Sequence, residues 1–160
     1  MTRAPGATLA VALAVTLAAA PAGAGVALEN AWMRPAPAGQ PQAQVFVDLR
    51  SAEPAKLVGA SMKVAKRAEL VLVAAPDADA STHRVVAEIP LAANVPTRLA
   101  LGGSHVRLVD MTQDVHPGER HVLELAFVDA SGQRTTATVD VLVRGLTLRR
   151  PSPDEPAAPK

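Results

Sequence analysis

The sequence predicts an all-β domain, an antiparallel β-sandwich, and three observations carry that expectation. From residue 26 to residue 144 the chain is a succession of short apolar or alternating runs. Pro, Gly, Asp and Asn, the residues that set turns, separate the runs. No stretch in this interval sustains the 3.6-residue period of an amphipathic helix. About seven to nine short strands at this spacing suit a sandwich, with a barrel as the second choice.

Residues 1–24 come first. Arg3 is the one positive charge ahead of Leu9–Ala20, an uncharged apolar run of 12 residues. That run is short for a transmembrane helix, and Pro21-Ala22-Gly23-Ala24 follows it with a helix breaker and small residues. Residues 1–24 are therefore expected to be a secretory signal peptide. Cleavage is expected after Ala22-Gly23-Ala24, with Ala18-Ala19-Ala20 as the fallback and an uncleaved anchor as the competing reading.

The strands follow. Val26–Arg34 stops at Pro35, and Pro35-Ala36-Pro37-Ala38-Gly39 turns the chain into Gln42–Arg50. Lys56–Met62 and Ala68–Ala74 come next, and Lys63–Lys66 between them can extend a helical turn. Pro76-Asp77-Ala78-Asp79 leads to His83–Ile89. Thr97–Leu101 and His105–Asp110 flank Gly102-Gly103-Ser104. Arg120–Asp129 starts after Pro117-Gly118 and pairs with Arg134–Arg144 across Asp129-Ala130-Ser131-Gly132. In that hairpin Leu123, Leu125 and Phe127 alternate with Glu124 and Ala126, so one face is apolar. Arg149–Lys160 holds four prolines and no large apolar residue. It cannot bury enough surface to offset its ordering entropy, so residues 150–160 are expected to be a disordered tail and residues 25–149 the domain.

Composition excludes several functions. Aromatics are 2% of the chain, namely Trp32, Phe46 and Phe127, too few to stack bases. The net charge of +1 does not suit phosphate neutralisation, so no nucleic-acid partner is expected. With no cysteine there is no disulfide, thiolate ligand or cysteine-linked lipid. Four histidines are present: His83, His105, His116 and His121. Ser104 and His105 are adjacent, so on a strand they point to opposite faces and do not make a nucleophile–base pair. There is no G-x-S-x-G elbow and no phosphate loop before a helix, and the chain is not expected to be an enzyme. His116 reads as a turn residue and His121 as a half-exposed strand residue. Trp32 is expected in the core or between the sheets. Arg34 is expected to be held at its strand end, and Arg107 to pair with Asp110, Glu88 or Glu69.

One stretch carries a resemblance. Ala27-Leu28-Glu29-Asn30-Ala31-Trp32-Met33-Arg34-Pro35-Ala36-Pro37 looks like the opening of the periplasmic copper chaperones of the PCu(A)C type. Five further stretches follow the same plan in order. They are Lys56–Ser61 (KLVGAS), Ala68–Val71 (AELV), Ile89–Ala93 (IPLAA), Leu101–Leu108 (LGGSHVRL) and Phe127–Gly132 (FVDASG). The resemblance implies a cupredoxin-like or immunoglobulin-like β-sandwich. It also implies a Cu(I) site of two His and two Met, delivery of copper to a cytochrome oxidase maturation protein, and a periplasmic monomer free of the membrane after signal cleavage.

Carried over residue by residue, most of that site is changed. Val71 stands at the first His position, His83 at the first Met position, His105 at the second His, and Arg107 at the closing Met. Soft thioethers suit Cu(I), and none of these four residues has one. His105 and Arg107 lie two apart on a strand and share a face, which brings a permanent charge to the site. Met111 is six residues along the same strand, roughly 20 Å away. Met33 and Met62 can substitute only if the fold brings them near. The metal residues expected are His83 and His105, holding Cu(II) or Zn(II) weakly at best. The alternative is a non-metal adaptor or binding module on the same fold.

Overall fold

The computed structural model describes residues 25–73 and 83–145. The leader, the Pro76–Asp79 turn and the tail expected above lie outside the described residues. Ten strands form: β1 (Val26–Met33), β2 (Gln42–Ser51), β3 (Ala55–Met62), β4 (Ala65–Val73), β5 (His83–Val86), β6 (Ile89–Leu91), β7 (Pro96–Leu99), β8 (His105–Met111), β9 (Arg120–Asp129) and β10 (Arg134–Val143). Their order is β5-β4-β8-β2-β1-β10-β9-β3-β6, with β7 also on β2. One half, β5-β4-β8-β2-β1, packs over the other, β10-β9-β3-β6, and β1 joins them. All pairs are antiparallel except β1 with β10, where Trp32 and Met33 run parallel to Leu142 and Val143.

The core between the two halves holds Met33, Val45, Leu49, Leu57, Leu108, Leu123, Leu125 and Phe127, all nearly inaccessible. Burying such side chains stabilises the fold by roughly 1.5–3 kcal/mol each. The alternation of β1 changes phase once. Val26 and Leu28 face the core, then Ala31 and Met33 do. The register slips by one residue between Glu29 and Trp32, a β-bulge at Asn30. Asn30 has φ 52°, and its Nδ2 donates to Asp48 Oδ2 at 2.9 Å. The bulge keeps Asn30 out of the core and sends Trp32 outward.

Four expectations are corrected here. His83–Ile89 is two strands, because the chain crosses at Ala87-Glu88 from β4's edge to β3's edge. Lys63–Lys66 makes no helical turn: Lys63-Val64 is a tight connection, and Val64 is fully buried. Trp32 is not in the core. It is half-buried on the outer face, 4.5 Å from Phe46 by ring centroids, with the Arg144 guanidinium 5.3 Å from its ring. Arg34 is exposed and makes no ion pair among the described residues.

Candidate metal centre

Strand alternation sorts the site. On β4 and β8, Leu70, Val106 and Leu108 belong to the core, so Val71, His105 and Arg107 face outward. Register then brings the four positions together. Val71 is the cross-strand partner of His105, and Glu69 of Arg107. His83 on β5 pairs with Val73, on the same outer face as Val71. The His83 and His105 ring centroids are 5.9 Å apart. On the other side of β8, Gln44 pairs with Arg107, and Phe46 is next along the outer face of β2.

His105 is 3% exposed although it faces away from the core. Phe46 and Val71, each 1% exposed, wall it in, and the Phe46 ring lies 6.4 Å from the imidazole. Both ring nitrogens are engaged. The Gly103 carbonyl, 2.8 Å from Nδ1, can only accept, so Nδ1 carries the proton. Nε2 is left as an acceptor for Gln44 Nε2–H at 3.2 Å. The tight turn after β7 supplies that carbonyl. Gly102 takes φ 78°, Gly103 N–H donates to Ala100 O at 2.9 Å, and Ala100 N–H donates to Ser104 O at 2.8 Å. Ser104 Oγ accepts from Val73 N–H at 3.1 Å, tying the turn to β4. Burial is the main cause that holds the His105 pKa below the ordinary imidazole value. The Gly103 carbonyl opposes the shift, and His83 and Arg107 add to it.

Arg107 does not point a free charge at the site. Its Nε and Nη2 donate to Glu69 Oε2 at 3.0 and 2.5 Å, and Arg67 approaches Glu69 Oε1 at 3.7 Å. Of the three partners expected for Arg107, Glu69 is the one used. The described methionines, Met33, Met62 and Met111, are all in the core, on the opposite side of the strands from His105. Among the described residues, no three His, Cys, Asp or Glu side chains meet as a ready metal site. His116 and His121 are far from this face in register. His116 N–H and His121 Nε2 both meet Glu119 Oε2, at 3.0 and 2.9 Å, and stiffen the Pro117-Gly118 turn. Sequence reasoning missed Gln44 and Gly103, because their roles depend on which strand lies beside β8 and on a turn geometry.

A family model described as "Putative lipoprotein LpqE-like" matches residues 26–141. Several solved structures share the fold. A copper-bound PCuAC domain from PmoF2 is 21% identical, with TM-score 0.60 over 78% of this chain and 96% of that one. An apo PCuAC domain from PmoF1 is 18% identical, with TM-score 0.62 over 77% and 96%. The solution structure of CuI-DR1885 from Deinococcus radiodurans is 20% identical, with TM-score 0.51 over 79% and 81%. Sequence comparison with curated proteins finds no match. The fold expected from the sequence is thus the one found.

Proposed function

The chain belongs to the LpqE-like family, and from that membership and the site's geometry we propose an exported, non-enzymatic copper chaperone-like protein that has exchanged a Cu(I) site for a weaker, histidine-based one. The observation that carries the reading is the outer face of β4, β5 and β8. The residues that the resemblance aligns with the four ligand positions, Val71, His83, His105 and Arg107, lie on that face. Val71 has no donor, and Arg107 is committed to Glu69. The remaining pair, His83 and His105, suits Cu(II) or Zn(II) better than Cu(I). Two imidazoles on one metal, each bonded at ~2.0–2.1 Å, have ring centroids roughly 5–6 Å apart. The observed 5.9 Å lies in that range.

Location and partner rest on the sequence. The leader at 1–24 supports export to the periplasm. The 160 residues contain no cysteine to take a thioether-linked lipid. A cytochrome oxidase maturation protein is the partner that the resemblance suggests, with the domain acting as a monomer. Restoring the donors tests the proposal. Val71→His with Arg107→Met should raise Cu(I) affinity sharply in chelator competition. A double variant that folds and leaves Cu(I) affinity unchanged would contradict it. A second reading, a non-metal adaptor, draws on the Trp32–Phe46 pair beside His105 under Arg144. It predicts that His105→Ala leaves partner capture intact.

A further inference from the structure

We propose that Gln44 is a cap on this site: its carboxamide covers the one nitrogen of His105 left to take a metal, and a cation binds there only by displacing it. The inference rests on the histidine-based reading above and names what regulates that site. Nδ1 of His105 is already spent, because its proton is held by the Gly103 carbonyl at 2.8 Å. The Nε2 lone pair is therefore the only entry for a metal to this ring. Gln44 stands on that lone pair, 3.2 Å away. Because Nε2 accepts, the group facing it is the carboxamide NH2, which donates and offers a cation nothing. The contact is a hydrogen bond, with no room for an ion between the two atoms.

Register shows why Gln44 opposes the metal rather than joining a cage around it. Gln44 lies on β2 level with Arg107, and His83 lies on β5 level with Val73, three strands away. The two flank His105 from opposite sides, so His83 does not compete with Gln44 for the capped nitrogen. The other neighbours of the imidazole are fixed in place: Phe46 and Val71, each 1% exposed, sit in packed strands. Gln44 is exposed, so its side chain is the one that can swing into solvent with no movement of β2. Uncovering Nε2 thus costs about one hydrogen bond, which corresponds to roughly a two- to tenfold loss of metal affinity.

Cu(II) titration of the purified chain tests this, read by quenching of the single tryptophan, Trp32, which packs against Phe46 beside the site. Gln44→Ala and Gln44→Leu both remove the donor at an exposed position and should tighten Cu(II) binding about two- to tenfold. Adding His105→Ala to either should abolish the gain. A side chain that merely supported the fold would lower affinity on truncation, the opposite sign. If the unmodified protein is inert to Cu(II) and the two Gln44 variants bind it through His105, the cap excludes the metal outright. If the variants bind no more tightly than the unmodified protein while His105→Ala abolishes binding, Gln44 is not a cap and the histidine-based reading stands without it. If none of these proteins binds Cu(II) through His105, this inference and the histidine-based reading both fail.

Discussion

At the scale of single residues, His105 is the most constrained side chain on the outer face. Burial holds its pKa down, so the folded protein protonates it at lower pH than the unfolded chain does. The unfolded chain takes up its proton at about 6.5. Stability from this group is therefore complete above pH ~6.5 and is lost as pH falls through that value toward the lowered folded-state pKa. Thermal melts across pH 7.5 to about 4.5 should show this loss, and His105→Gln should flatten that part of the curve. Equal pH slopes for the two proteins would contradict the assignment. Glu69 makes a second residue-scale prediction. Glu69→Gln should leave Arg107 uncompensated and weaken Cu(II) binding. Calorimetric titration showing tighter binding would mean that Glu69 competes with the metal rather than helping it.

At the scale of elements, the turn after β7 fixes the ligand orientation. Gly102 occupies φ 78°. Gly102→Val should cost about 1–3 kcal/mol of stability. By displacing the Gly103 carbonyl it should also lower metal affinity, with outer-shell losses of ~10–100-fold as the guide. Denaturant melts and the same Cu(II) titration check both. Most element bounds were legible because turn residues punctuate the chain: Arg120–Asp129 is the strand expected, and β1 to β3 differ by a residue or so. His83–Ile89 was not resolved into two strands, because nothing in its alternation marks the crossing between sheet edges. The bulge at Asn30 is visible afterwards as a phase break between Val26/Leu28 and Ala31/Met33. Trp32 was misplaced for the same reason, since its face depends on that one extra residue. The nearness of His83 and His105, 5.9 Å between ring centroids, was legible through the family resemblance. Gln44 was not, because only register brings β2 beside β8.

At the scale of the molecule, one sandwich core carries the stability, and His83, His105 and Arg107 lie on the outer face of one sheet. Leu123→Ala, at a fully buried site, should cost about 2–5 kcal/mol. Val122→Ala, one residue away and 55% exposed, should stay within about 0.5 kcal/mol. Neither should alter metal affinity in the folded protein, because neither reaches the β4–β8 face. The fold is shared with a copper-bound PCuAC domain and with CuI-DR1885 at identities near 20%. The three described methionines are turned into the core, and Arg107 is paired with Glu69 on the outer face. On the proposed reading, this face does not form a tight Cu(I) site. The most direct measurement is Cu(I) competition between the unmodified protein and a chromogenic chelator under anaerobic conditions. The account predicts that the chelator takes the copper at near-stoichiometric concentrations, with no metal retained on the protein after desalting. One equivalent of Cu(I) held against excess chelator, and lost on replacing His105 by Ala, would contradict it.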